Sequence, residues 1–281
     1  LSQEPQPSDR IDPTIIAENQ PQGPVSGIGL KDDFIMALRF FSRLPTGSSA
    51  HQTPDLGRIA MALPLASVAI GIGPALLLIG TVLLGMPEYF AAALAVGSMI
   101  MVSGGMADDA LADAADGLFG GYTLERRLAI MKDSRHGTYG VAALCLFIVL
   151  RVTALGAMAI VSPLAAGSVW LAATIVGRSG ALWLAVALPP VRVDGASATA
   201  GRLAVAPFLV GAVFAGLLLF LLAGPPASVV GLILALLMAA LVAVGWTALC
   251  KRMVGGQTGD LIGALGALLE IAVLAALIRF V

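Results

Sequence analysis

Charge is scarce in this chain: Asp, Glu, Lys and Arg make up only 12% of its 281 residues, about half the share of an ordinary soluble domain. That shortage argues against a soluble globular protein. The cations and anions nearly cancel, at a formal net charge of −1, so nothing in the balance suits nucleic acid. Only two cysteines occur, Cys145 and Cys250. Their spacing fits neither a metal site nor a disulfide framework, and both read as small buried hydrophobes. Strands with the alternation of a membrane barrel are absent. No charged-then-apolar signal with a cleavage site opens the chain.

Hydrophobic residues, 58% of the chain, fill what is there. Ala and Leu dominate, and several stretches near 20 residues carry almost no charge, the length a helix needs to cross a bilayer core. The expected fold is therefore all-α, a polytopic helical membrane protein with about seven transmembrane helices. The spans fall at about 59–85, 89–106, 139–161, 165–188, 204–223, 227–249 and 261–279. Residues 1–30, rich in Pro, Gln, Ser and Asp, read as a disordered tail, because such a composition cannot bury enough surface to order itself. Residues 31–45, KDDFIMALRFFSRLP, place Phe34, Ile35, Leu38, Phe41 and Leu44 at helical spacing but are too short and charged to span. They read as an N-terminal interfacial helix. Residues 31–281 form the integral-membrane domain.

The turns alternate between two kinds. Those around Met86-Pro87, Ser162-Pro163 and Gly224-Pro225-Pro226 hold no Lys or Arg, and the others hold nearly all the cations. The positive-inside rule then places the N-terminus and the large loop 107–138 in the cytoplasm.

That loop holds the chemistry. Asp109, Asp113 and Asp116 follow the second apolar run at offsets i, i+4 and i+7. At roughly 100° per residue the three carboxylates share about 60° of arc on one helical face. Three like charges beside a membrane helix are costly unless a cation relieves them, and oxygen ligands suit Mg²⁺ or Mn²⁺. The segment Gly104–Gly140 contains six of the seventeen acidic and four of the sixteen basic residues. Asp108 points away at about 100° from its neighbour and is expected to be solvated or paired with Arg126 or Arg127. Gly117, Gly120 and Gly121 end the helix, and free backbone N–H groups there suit phosphate oxygens. TLERRLAIM makes a second, short amphipathic helix, with Thr123 as N-cap.

Lys132, Arg135, Arg178 and Arg192 are the cations suited to neutralise a pyrophosphate. For Arg126 and Arg127, lipid headgroups compete evenly with substrate. A second polar cluster, GGQTGD over 255–260, opens the last span, and Glu270 follows ten residues on inside an apolar helix. Asp133 and Asp260 join Asp113 and Asp116 as candidates for catalysis. His136 reads as structural more readily than as an acid–base group. Trp170, Trp183 and Trp246 read as interface or packing residues.

With these residues assembled, the chain resembles the cobalamin synthase family, the adenosylcobinamide-GDP ribazoletransferases, from roughly Asp33 to Glu270. DALADAADGLFGG (109–121) and IMKDSRHGTYG (130–140) carry most of the likeness. FFSRLP, Arg178, Arg192 with Asp194-Gly195, and GGQTGD with Glu270 support it. Where the family commonly reads His-x-Asp-Gly-Leu-Ala-Asp, this chain has Ala107 for the His and Ala110 for the Gly.

The resemblance implies an Mg²⁺-dependent transfer at the bacterial inner membrane. A ribose hydroxyl of α-ribazole, or of its 5′-phosphate, would attack the cobinamide-linked phosphorus of adenosylcobinamide-GDP, and GMP would leave. The implied partners are those two substrates and the lipid bilayer, with a homo-oligomer left open. Asp113-x-x-Asp116-Gly117 also resembles the start of the CDP-alcohol phosphotransferase signature, whose Ala-Arg and later Asp-x-x-x-Asp are missing here. A phospholipid synthase is the alternative enzyme. A transporter using Arg151, Arg178 and Glu270 as a relay is the rival of another class.

Overall fold

A computed structural model describes residues 29–47, 55–133, 135–192 and 202–281. The expected tail up to residue 28, His51 and the Asp194-Gly195 pair lie outside the described residues. The described chain is helical throughout, with one isolated bridge between Pro190 and Gln257 in place of any sheet.

The first helix, α1 (Leu30–Phe41), turns Met36, Ala37 and Leu38 inward against α2 (Leu56–Leu83). A pair between Arg58 and Asp33, at 2.5 Å through Nε, ties the two together. Asp55 caps α2 by accepting from the backbone N–H of Gly57 and Arg58, which satisfies donors the first helical turn leaves over. After α3 (Glu88–Ser103) come α4 (Met106–Gly120), α5 (Leu124–Ile130) and α6 (Thr138–Val161). Then follow α7 (Pro163–Ala181), α8 (Trp183–Ala187), α9 (Val205–Ala223), α10 (Val229–Met253) and α11 (Gly259–Leu277).

Six helical segments are long and apolar enough to cross a bilayer: α2, α6, α7 together with α8, α9, α10 and α11. A seventh is reached if α3 and α4 count as one bent span. The polytopic all-α reading from composition therefore holds, and each expected span meets its helix to within a few residues. The second span differs. Instead of running on into the carboxylate segment, the helix breaks at Gly104 and Gly105, both at φ +67°, and the axis bends by 87°. Left-handed backbone costs an L-residue roughly 1–2 kcal/mol, so two successive glycines make this corner accessible.

Helix α7 sits at the centre, packed on α2, α6, α9 and α11, and 83% of the apolar stretch it forms with α8 is buried. In α9 and α10 only 17% is buried, and Val213, Phe220, Leu237 and Leu241 face outward. That is the distribution for which hydrocarbon, not water, is the solvent. Without a hydrophobic force between helices in lipid, close approach has to hold the bundle. Gly71 of α2 provides it, lying directly under Leu171 and Thr174 of α7.

Candidate active site

The bend at Gly104-Gly105 aims α4 across the bundle, where it packs on α6 and α11. Its three aspartates then go to different places. Asp109 is two-thirds exposed, Asp113 mostly buried. His136, just before α6, faces both: its Nε2 lies 3.6 Å from an Asp109 oxygen and its Nδ1 3.6 Å from an Asp113 oxygen. One ligand atom from each of the three falls within 4.8 Å of the others. Asp260, at the start of α11, is a further like charge acting on Asp113.

Asp116 turns elsewhere. Its carboxylate accepts from the backbone N–H of Gly137 at 2.5 Å and of Gly140 at 2.9 Å. Three positions can share an angular face yet be spread along the axis; seven residues at 1.5 Å each separate Asp109 from Asp116 by about 10 Å. The returning chain at 137–140 takes the far end of that row. A Cβ on Gly137 would stand 2.6 Å from Asp116 Oδ1, so the absence of side chains there is what lets the turn close on the carboxylate. Sequence reasoning ranked His136 below the aspartates because a lone histidine in a polar turn has no local signature. The i+27 return from Asp109 to His136 is tertiary.

The expected pairing of Asp108 with Arg126 or Arg127 is corrected. Asp108 is buried and paired with Arg151 of α6, itself only 2% exposed. The Arg151 guanidinium also lies over the Phe147 ring, 3.8 Å from its centroid. Arg127 instead donates to the Met253 carbonyl at 2.8 Å, pinning α5 to the end of α10. Thr123 does cap α5, accepting from Arg126 N. Gly117 and Gly121 are closed off by α5: a Cβ on Gly121 would lie 2.6 Å from Arg127 Cγ, and one on Gly117 would meet Met131 and the Arg127 carbonyl. A Cβ on Gly120 would make only an ordinary contact, with Ile130 Cδ1 at 3.8 Å.

The GGQTGD segment runs beside 189–191. Val191 N donates to Gln257 O and Gln257 N to Pro189 O, and this pairing sets Arg192 beside Asp260, Nη1 to Oδ2 at 3.2 Å. Arg192 Nη2 also donates to the Leu128 carbonyl at 3.3 Å, so one side chain links α5 to the head of α11. Asp133 and Arg135 form an exposed pair at 2.8 Å. The Arg135 hydrogen bonds hold the Asp133 carboxyl down at about 2, which makes it a weak proton acceptor. Lys132 is exposed beside them.

Arg178 lies inside α7, its Nη2 donating to Met99 Sδ at 3.2 Å and its Nη1 buried without a partner among the described residues. Glu270 accepts from Trp170 Nε1 at 3.0 Å, with Arg151 and Arg178 as neighbouring cations. Met99, Arg151, Arg178 and Glu270 line a cavity of about 280 Å³ that also reaches Asp109 and Asp260. Asp109, which lines the cavity, also belongs to the group of two carboxylates and one imidazole with Asp113 and His136, whose majority of oxygen donors fits a divalent cation.

Fold and site together define a membrane-embedded protein with acidic, metal-competent side chains gathered at one end of its helices, beside arginines suited to phosphate. The chain belongs to the cobalamin-5-phosphate synthase family, whose model matches residues 33–278. A relative from Azorhizobium caulinodans, named adenosylcobinamide-GDP ribazoletransferase, is 44% identical over 85% of this chain and 92% of its own length. Proteins of the same name from a Sinorhizobium species and from Xanthobacter autotrophicus are 39% and 38% identical. They cover 88% and 84% of this chain and 95% and 91% of their own lengths. No solved structure matches.

Proposed function

We propose that this chain joins α-ribazole, or its 5′-phosphate, to the cobinamide-linked phosphorus of adenosylcobinamide-GDP, releasing GMP. The observation that carries this reading is the convergence of Asp109, Asp113 and His136 within 4.8 Å, next to the Arg192–Asp260 pair, in a chain of this family. Asp109 and Asp113, with His136 beside them, would hold Mg²⁺, and Asp116 would keep the 137–140 turn that carries His136 in place. The ion, when bound, supplies charge neutralisation at the phosphoryl oxygens.

The chain's own residues do the rest. Asp260 takes the proton of the attacking ribose hydroxyl, and the ribose oxygen forms the new bond to phosphorus. The bond from that phosphorus to the GMP oxygen breaks, and GMP carries off the electron pair. Arg192, Lys132 and Arg135 balance the charge on the pyrophosphate. Such catalysis is mostly alignment and electrostatics, and a site fixed by three separate helices supports both. The alternation of cation-rich turns further supports a multi-pass placement in the bacterial inner membrane with this site on the cytoplasmic side.

The test is direct. Detergent-purified protein is incubated with adenosylcobinamide-GDP, α-ribazole and Mg²⁺, with and without chelator, and GMP release is assayed. Release that stops with chelator supports the reading. Absence of release with both substrates and metal overturns it.

A further inference from the structure

The cavity beside the carboxylates is too small for both substrates, and its chemistry selects one of them. At about 280 Å³ it lies near the lower limit of small-molecule pockets, roughly 300–1,000 Å³. A base with its ribose fits such a volume; a corrin ring with its nucleotide does not. We propose that this cavity seats the nucleoside part of the acceptor, α-ribazole, while the phosphate-bearing corrinoid nucleotide stays outside at the Asp109–Asp260 edge. This inference rests on the transfer reaction proposed above.

Three observations carry it. The first is charge. Four carboxylates line the cavity (Asp108, Asp109, Asp260 and Glu270) against two guanidiniums (Arg151 and Arg178), a formal excess of two negative charges. Asp109 and Asp260 stand at the edge, where Arg192 and a bound cation would offset them; the interior sets Asp108 and Glu270 against Arg151 and Arg178, with no surplus cation for a pyrophosphate, whereas a neutral nucleoside needs none. The second is the wall. Phe40 and Phe41 stand edge to face at 4.9 Å and 63°, and Met99 and Met106 complete an apolar, polarisable lining. Flat aromatic bases pack well on rings and thioethers.

The third is the pattern of unmet hydrogen bonds. Asp108 is satisfied by Arg151 and Glu270 receives the Trp170 N–H. By contrast, the buried Arg178 Nη1 and Arg151 Nε are donors without acceptors among the described residues. A buried orphan donor costs about 1–3 kcal/mol, so the cavity is built for a guest that accepts. The free ring nitrogen of a benzimidazole nucleoside and its ribose oxygens are acceptors. Guanosine offers acceptors too, O6 and N7, so the choice between the two bases falls to Asp260: the hydroxyl it deprotonates belongs to the acceptor, and Asp260 lines this cavity. With the base inward, the ribose hydroxyls point to Asp260 and Asp109, where the proton has to leave.

The experiment measures α-ribazole binding to detergent-purified full-length protein by equilibrium dialysis, with no corrinoid present. Two variants alter the cavity without touching the carboxylates: Ala181→Phe fills it from α7, and Phe41→Ala removes part of the wall. Both are expected to weaken α-ribazole binding and raise its KM about tenfold, with the KM for adenosylcobinamide-GDP unchanged. Guanosine is expected not to compete. A rise in the corrinoid KM alone, competition by guanosine, or unchanged α-ribazole binding in both variants overturns the proposal. The two readings fail separately. Saturable α-ribazole binding that both variants weaken, without any GMP release, keeps the cavity and sinks the transfer. GMP release that both variants leave unchanged keeps the transfer and sinks the cavity.

Discussion

Arg151 reaches across from α6 to Asp108 on the first turn of α4, and the two are buried together next to Asp109. The pair fixes where α4 begins its run across the bundle, and so where the following carboxylate points. A paired charge in an apolar interior is tolerated, and an unpaired one is not.

Replacing Arg151 by Met should therefore destabilise the protein by about 3–5 kcal/mol, because Asp108 is left uncompensated. The double variant Asp108→Asn/Arg151→Met should recover most of that loss. Thermal unfolding in detergent across the four proteins of this cycle measures it; additive single effects would show that the pair is not coupled.

Asp109→Asn, Asp113→Asn and His136→Ala should each weaken Mn²⁺ binding by at least on the order of tenfold, read by calorimetric titration of the detergent-purified protein. Asp116→Asn should weaken metal binding less and stability more, since it disturbs the hydrogen bonds accepted from Gly137 and Gly140. Equal metal losses in all four variants would place Asp116 in the coordination sphere with the rest.

A methyl group at Gly140 would meet the Asp116 carboxylate, its carbon at 2.9 Å, and the Ala112 carbonyl at 2.8 Å. Gly140→Ala is expected to cost about 1–3 kcal/mol through that overpacking. Gly120→Ala is the control. Its added carbon has nothing nearer than Ile130 at 3.8 Å, so the change should be neutral or stabilising by up to about 1 kcal/mol. Melting temperatures of the two variants decide it.

The Asp133 carboxyl, held at about 2 by Arg135, lies below its ordinary value. Its pair with Arg135 is thus fully formed above about pH 4 and is lost as the pH falls towards 2. Arg135→Ala should return the titration to the ordinary carboxylate range, about 3.9, in a carboxyl-¹³C NMR titration. Above pH 5 neither form should add a step to the pH–rate profile.

Local pattern made much of the architecture legible. Charge-poor stretches of bilayer length marked the helices, Gly120-Gly121 marked the end of α4, and Thr123 marked the cap of α5. The unusual motifs at 109–121 and 130–140 revealed the family. Less legible was the corner at Gly104-Gly105, because a glycine pair between apolar runs reads equally well as helix packing.

What the sequence determined by itself is therefore the membrane bundle, the family and the set of acidic and basic residues from which a site is made. Which of them meet was decided by tertiary structure. Helical periodicity reports angle about one axis; it says nothing of the returning chain that brings His136 to Asp109 and Asp113 and gives Asp116 two backbone donors instead. Nor does it foresee Asp108 with Arg151, 43 residues apart, or Trp170 with Glu270, 100 apart. Those contacts follow from which helix faces pack, and burial then forces each charge to find the partner that packing leaves within reach.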